Sequence, residues 1–256
     1  MDPYAWSWSP EALVVVLPLT AAYLTWVRRH GAQPWRIASF LSAMGLLLAV
    51  TITPLETLAL NYLLTIHLLQ NVVLAEWAPL LVVLGIPPAL ATSLSRPAVL
   101  RALTNPWVAL PVWLANYFVW HLPWLYDTAL ENPHPLLHLE HLLYFLTGIA
   151  MWWSVIQDEP HHVPAGARAA YVFAAFVLGS PLGLVLALIP SPLYDFYVDA
   201  PERLWGLTAL EDQQVAGIGM ALEQAAVFFA VFAYWFFRFL AEEEHRDDVD
   251  RASPAA

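Results

Sequence analysis

Hydrophobic positions along the chain form seven long, nearly continuous runs, and most charged residues lie between them. A hydrocarbon core of about 30 Å is crossed by roughly 20 helical residues, which most of these runs approach. Continuous apolar runs favour helices, because strands of a membrane barrel would alternate apolar and polar positions. The pattern therefore predicts an all-α, polytopic membrane helix bundle with seven transmembrane helices: Ala12–Val27, Ile37–Thr53, Leu58–Ile86, Trp107–Tyr126, Leu136–Ile156, Ala169–Ile189 and Gln213–Leu240.

The arginines predict the orientation of this bundle. A seven-span topology places nine of the ten on one side and only Arg203 on the other. Because cytoplasmic loops are enriched in basic residues, we expect the N-terminus outside and the C-terminus in the cytoplasm. We further expect a transmembrane domain over 1–241 and a flexible acidic cytoplasmic tail over 242–256. The segment Met1–Glu11 lacks the basic start of a signal peptide, so the first span should be retained.

Composition supports a membrane protein and removes several function classes. Apolar residues make up 60% of the chain and charged residues 12%, about half the charged share of a soluble domain. The net charge of -11 disfavours a nucleic-acid partner. The chain has no cysteine, which excludes disulfides, thiolate nucleophiles and cysteine-ligated metals. GxSxG and HExxH motifs are also absent, which disfavours a hydrolase, although a His/Asp hydrolase site stays open as an alternative. We expect a protein that is not an enzyme.

Ionisable residues inside the predicted spans are costly and are therefore candidate functional residues. In the predicted topology four helices bring such residues into the outer part of the membrane: His67, His121, His138, His141 and Asp212. His138 and His141 are three residues apart, so both can reach one ligand. Imidazole without thiolate favours Cu(II), Zn or haem. The alternative interpretation is that these side chains cap helices or line a polar pocket.

Two further acids lie deeper in the predicted spans. Glu223 shares a helix face with Asp212, because eleven steps of about 100° nearly complete three turns. It is either a proton- or cation-responsive acid or a hydrogen-bonded residue in close helix packing. Glu76 lies on the opposite side of its helix from His67, so the two are not expected to bind one metal.

Five motifs occur in order between residues 58 and 220: His67-Leu-Leu-Gln70 with Pro79 to Pro87; Trp120-His121-Leu-Pro123 with Tyr126-Asp127; His138-Leu-Glu140-His141 with Gly148 and Trp152-Trp153; Pro192-Leu193-Tyr194 with Tyr197; and Asp212-Gln213-Gln214 with Gly217. In this series the chain resembles the CtaG-type cytochrome c oxidase assembly factors. The resemblance implies an inner (plasma) membrane protein that helps to mature haem-copper oxidases. It implies copper as transient cargo and the oxidase catalytic subunit as partner. It marks as the metal-binding core His67, His121, His138, His141 and Asp212.

One position departs from the family pattern. The family commonly has His-x-x-Gln-His in the third span, whereas this chain has Asn71 at the second histidine position. Three interpretations stay open: weaker metal binding, a different third ligand, or a site that is only structural.

Two other function classes also stay open. One is a membrane cytochrome with two axial histidine ligands, which needs histidines on facing helices at matched depth. The other is a proton-coupled transporter built around Glu76 and Glu223, although no internal repeat of the kind found in such transporters is visible.

Overall fold

The structure is a computed structural model that describes residues 2–200 and 202–252, with side chains through residue 248. It is 80% helix, and the described residues contain no strand, which confirms the all-α prediction. The helices are α1 Pro10–His30, α2 Pro34–Ile52, α3 Pro54–Asn61, α4 Leu64–Val72, α5 Ala78–Gly85, α6 Pro88–Leu94, α7 Ala98–Leu103, α8 Pro106–Trp120, α9 Pro123–Glu131, α10 His138–Ile156, α11 Ala165–Gly179, α12 Pro181–Leu188, α13 Asp195–Val198 and α14 Ala209–Ala252.

Within the described residues, six helical segments are long and apolar enough to cross a membrane, which makes this a membrane protein. They are Pro10–His30, Pro34–Ile52, Leu64–Gly85, Pro133–Ile156, Ala165–Leu188 and Ala209–Asp248. The predicted span Trp107–Tyr126 instead forms α8, a turn at His121 and α9, and α8 has only 15 residues, about 22 Å of rise. A proline opens α9, and proline interrupts a continuing helix. The count of seven spans and the orientation of the termini stay predictions.

In the part of the chain that the structure describes, two π-helical turns adjoin the long helices. Val73–Trp77 joins α4 to α5, and Pro133–Leu137 precedes α10. Such turns change the direction in which the following side chains point, and they are frequent at functional sites.

The bundle is organised around α14, which packs against α4, α11 and α12, while α10 packs against α5 and α8. Close packing at one crossing requires glycine, because a Cβ at Gly148 of α10 would overlap the carbonyl oxygen of Ala75. Three short helices, α3, α9 and α13, lie together at one end of the bundle, where Tyr197 of α13 donates a hydrogen bond to the Ala59 carbonyl of α3. We call these three helices the cap.

The predicted tail continues α14 as helix to Ala252. Residues 253–256, with which the predicted tail ends, and Met1 lie outside the described residues. The division into a domain over 1–241 and a flexible tail over 242–256 stays a prediction.

Candidate functional site

Three of the predicted histidines meet beneath the cap. The ring of Tyr126 lies 5.3 Å from that of His67 and 5.7 Å from that of His121, measured between centroids. The His141 ring lies 6.3 Å from the His67 ring and perpendicular to it. The Nε2 atoms of all three histidines are buried and have no hydrogen-bond partner. We call His67, His121, His141 and Tyr126 the histidine pocket.

The tautomer of His67 follows from its hydrogen bonds. Its Nδ1 lies 2.7 Å from the hydroxyl of Tyr197, and that hydroxyl donates its only proton to the Ala59 carbonyl at 2.6 Å. The Tyr197 oxygen can therefore only accept from the ring, so Nδ1 of His67 holds the proton. In the neutral ring Nε2 is then unprotonated, and its lone pair is free to bind a metal.

His121 reaches the same state by a different contact. Its Nδ1 lies 2.8 Å from the carbonyl oxygen of Tyr117, one turn earlier in α8. A carbonyl only accepts, so Nδ1 of His121 is also the protonated nitrogen. The Nε2 atoms of His67 and His121 are thus two buried acceptors for which the protein supplies no donor. A buried acceptor without a donor costs free energy, and such an atom calls for an explanation.

His138 points elsewhere. Its ring lies 4.3 Å from that of His134, and it lines a cavity of about 280 Å³ together with Glu11, Glu56 and one side of His141. His138 and His141 therefore share a cavity wall, while the close ring contact of His141 is with His67. In the part of the chain that the structure describes, no three histidine, aspartate or glutamate side chains are grouped closely enough to hold a metal by themselves.

Asp212 is occupied by a structural contact. Its carboxylate accepts hydrogen bonds from the backbone amides of Leu64 at 2.7 Å and Thr65 at 3.0 Å, and from the Thr65 hydroxyl at 2.6 Å. These amides begin α4, the helix that carries His67. A carboxylate at a helix N-terminus satisfies free amides and interacts favourably with the helix dipole. Asp212 thereby fixes the position of His67.

Asp127 holds the start of α13, a helix of the cap, in the same way. Its carboxylate accepts hydrogen bonds from the amides of Asp195 and Phe196, each at 3.2 Å, at the start of α13. Burial raises the pKa of Asp127, and these two hydrogen bonds oppose the rise. Since α13 carries Tyr197, this contact positions the hydroxyl that sets the tautomer of His67.

Glu140 and Asn71 add polar atoms that were not predicted as site residues. Both side chains are buried, and the Glu140 carboxyl lies close enough to interact with Asn71 and Tyr144. One Glu140 oxygen and both polar atoms of the Asn71 amide have no hydrogen bond of good geometry. The Tyr144 hydroxyl also lies 3.2 Å from Nδ1 of His121. The spacing of Glu140 and Tyr144, which are one helical turn apart, is the only sequence signal of the contact between these two side chains.

The tyrosines were present in the motifs but had no predicted role. Tyr126 stacks on Tyr194 with 4.0 Å between ring centroids, and the hydroxyl of Tyr126 is buried without a partner. The Tyr194 hydroxyl donates to the carbonyl of His121 at 3.3 Å. Together with Tyr197, they enclose the histidines in aromatic rings that exclude water.

The fold and pocket define a polytopic helical membrane protein with imidazoles beneath a short-helix cap. Residues 20–242 match the family model described as cytochrome c oxidase caa3 assembly factor (Caa3_CtaG). This match spans most of the chain, so the protein belongs to that family, and the resemblance seen in the motifs is confirmed. Comparisons with curated proteins and with solved structures gave no significant match.

Proposed function

We propose that this cytochrome c oxidase assembly factor is not an enzyme and binds copper transiently in the histidine pocket during maturation of a haem-copper oxidase. Its setting is the plasma membrane of a bacterium, with the pocket towards the outer face and the oxidase catalytic subunit as the recipient. Family membership supports the oxidase role. The copper step rests on the pocket.

The observation that carries the proposal is the pair of imidazoles from α4 and α10. Two imidazoles that bind one ion through nitrogens about 2.0–2.1 Å away have ring centres at most about 6.4 Å apart. The rings of His67 and His141 are 6.3 Å apart, and both Nε2 atoms are buried without a donor. This separation is compatible with one ion held between them.

The rest of the pocket explains why binding would be transient. A pair of neutral nitrogen donors, without thiolate, is a small ligand set for copper. His121 and the Glu140 carboxyl lie nearby as further donors, so an ion can change partners without leaving the pocket. A cargo that must be passed on requires such moderate affinity, because a complete ligand shell would retain it.

Copper titration against a chromogenic Cu(I) chelator tests this assignment in the detergent-purified full chain. The double variant His67→Ala/His141→Ala should lose at least about 100-fold in affinity, because each ligand is worth tenfold or more. The matched control is His134→Ala/His138→Ala, which removes the other adjacent ring pair and should change affinity less than about threefold. If His134→Ala/His138→Ala lost copper affinity and His67→Ala/His141→Ala kept it, the copper site would instead be the cavity lined by His138.

A single substitution tests the tautomer argument. Tyr197→Phe removes the hydroxyl that accepts from Nδ1 of His67 and should lower copper affinity about tenfold. Tyr171→Phe, on α11 and away from the pocket, is its control.

An absorbance spectrum of the same protein tests haem ligation, since a Soret band would show that the pocket binds haem and not copper. In cells, deletion of the gene should lower oxidase activity, and added copper should restore part of it.

A further inference from the structure

A second polar cluster lies deeper in the bundle and is not used by the copper proposal. Glu76 lies in the π-helical turn Val73–Trp77 and is fully buried, and Glu223 on α14 is half-buried beside it. Their side chains lie within hydrogen-bonding reach of each other. Carboxyl groups inside a membrane protein are costly and are retained for function more often than for stability.

The hydrogen bonds leave one oxygen free on each acid. Oε1 of Glu76 accepts from Nε2 of Gln224 at 2.8 Å, and Oε1 of Glu223 accepts from the indole of Trp77. The remaining atoms, Oε2 of Glu76 and Oε2 of Glu223, are both buried and have no donor. Two adjacent carboxylates in a medium of low dielectric cannot both stay ionised. A single proton between the two Oε2 atoms would satisfy both.

This pair is connected to the histidine pocket through two residues, Gln224 and Tyr117. Nε2 of Gln224 also donates to the Tyr117 hydroxyl at 3.0 Å. The same Tyr117 accepts from His121 through its carbonyl and has its ring centroid 5.2 Å from that of His121. Among the described residues, the titratable groups that interact with Glu76 and Glu223 are the two acids themselves and the Tyr117 phenol.

From this arrangement we infer that Glu76 and Glu223 form a proton-binding site that holds one shared proton in the metal-free protein and releases it when a cation enters the histidine pocket. The O–H bond breaks, the proton leaves the pair for the aqueous phase, and the second carboxylate charge balances charge on the bound ion. The release step rests on the proposed copper function, whereas the shared proton does not.

The distance between the sites supports electrostatic coupling. His67 and Glu76 are nine residues apart on one helical segment, which corresponds to about 13 Å of rise. Inside a bilayer no salt screens this separation, so the charge of an ion at His67 favours ionisation of the pair. By reciprocity, ionisation of the pair should tighten cation binding, by about fivefold to tenfold for a coupling of this size.

Calorimetric copper titration of the full chain in buffers of different ionisation enthalpy measures the protons released per ion. Glu140 and Glu56 lie nearer the pocket and can contribute protons, so the difference between wild type and variant is the relevant quantity. Glu76→Gln and Glu223→Gln should each remove about 0.4–0.5 proton per ion at the pH of greatest release, the most that a fivefold to tenfold coupling gives. The control Glu244→Gln, an exposed acid on α14, should release as much as wild type.

Infrared spectroscopy tests the shared proton without copper. Metal-free protein labelled with ¹³C-glutamate should show a carboxylic acid band that decreases in both Glu76→Gln and Glu223→Gln, and stays in Glu244→Gln. If copper binds and releases equal protons in wild type and both variants, the inference is wrong and the copper proposal stands. If wild type binds no copper, the copper proposal fails, and the infrared band alone decides whether the acids share a proton. Absence of that band in folded wild type overturns the inference.

Discussion

Asp212 on α14 holds the first turn of α4 through its contact with Leu64, where the aspartate carboxylate accepts the Leu64 amide at 2.7 Å. The two residues are 148 positions apart in the chain. This contact joins the longest helix to the one that presents His67, so the geometry of the histidine pocket depends on a helix cap.

Substitution of Asp212 separates a capping role from a ligand role. Asp212→Ala should lower the free energy of unfolding by about 1–3 kcal/mol, because it removes charged hydrogen bonds to α4. Asp212→Asn, which keeps one accepting oxygen, should lose less. Copper affinity measured at a temperature where both variants are folded should fall less than tenfold. A loss as large as that of the His67/His141 double variant would instead make Asp212 a metal ligand.

Glu56 predicts a pH dependence of stability. Burial raises the pKa of this carboxyl from 4.5 to about 7, and a hydrogen bond from Gln70 opposes the rise. Between these values the folded protein binds a proton that the unfolded chain has lost. The free energy of unfolding therefore falls as pH rises through this window and levels off above it. The total is at most about 3 kcal/mol, from 1.36 kcal/mol per unit, and solvent screening reduces it.

Thermal unfolding in detergent between about pH 5 and pH 8 measures this dependence. Glu56→Gln should flatten the slope, because glutamine stays neutral across the range. The exposed acid Glu202 offers the control, and Glu202→Gln should keep the wild-type slope. Parallel slopes in Glu56→Gln and wild type would assign the pH dependence to another group.

Gly148 should be sensitive to the smallest enlargement. Gly148→Ala places a methyl group against the Ala75 carbonyl and 2.7 Å from Cγ of Pro79, an overlap that should cost about 1–3 kcal/mol. The matched control is Gly45→Ala in α2, where a Cβ meets nothing within 4 Å and alanine should be neutral or stabilising. Melting temperatures of the two variants make the comparison, and equal values would mean that α10 can move away from the π-helical turn.

Substitution of Asn71 tests whether the histidine that the family commonly has at this position would add a copper ligand. The amide is buried and has no hydrogen bond of good geometry, and it lies close to the Glu140 carboxyl. Asn71→His should tighten copper binding about tenfold, since it supplies an imidazole beside Glu140. Asn71→Ala should leave the affinity within about threefold of wild type, because no ligand is lost. A weaker affinity in Asn71→Ala would show that the amide itself takes part in binding.

The sequence predicted most of the long helices, because continuous apolar residues determine where a chain can cross lipid. It did not predict that the run Leu58–Ile86 is divided into α3 and α4 at Tyr62 and Leu63. No hydrophobic break marks that point, and the new helix start depends on the distant carboxylate of Asp212. The run Trp107–Tyr126 was predicted as one span because its hydropathy hides the turn between Trp120 and Pro123.

The candidate site was predicted in part. The depths of His67, His121 and His141 followed from helical rise, and the structure brings these three side chains together. The directions of His138 and Asp212 could not be predicted, because they depend on the π-helical turn before α10 and on the free amides of α4. The hydrogen-bond partners of Nδ1 in His67 and His121 could also not be predicted, since one is a side chain of the cap and the other is a backbone carbonyl.

The contact between Tyr197 and His67 has a consequence for how the first metal bond forms. A ring whose only proton already sits on the far nitrogen can accept an ion without first shedding that proton. Metal binding at Nε2 of His67 therefore releases no proton from the ring. Any acidification of the medium that accompanies copper uptake must originate from other groups of the chain.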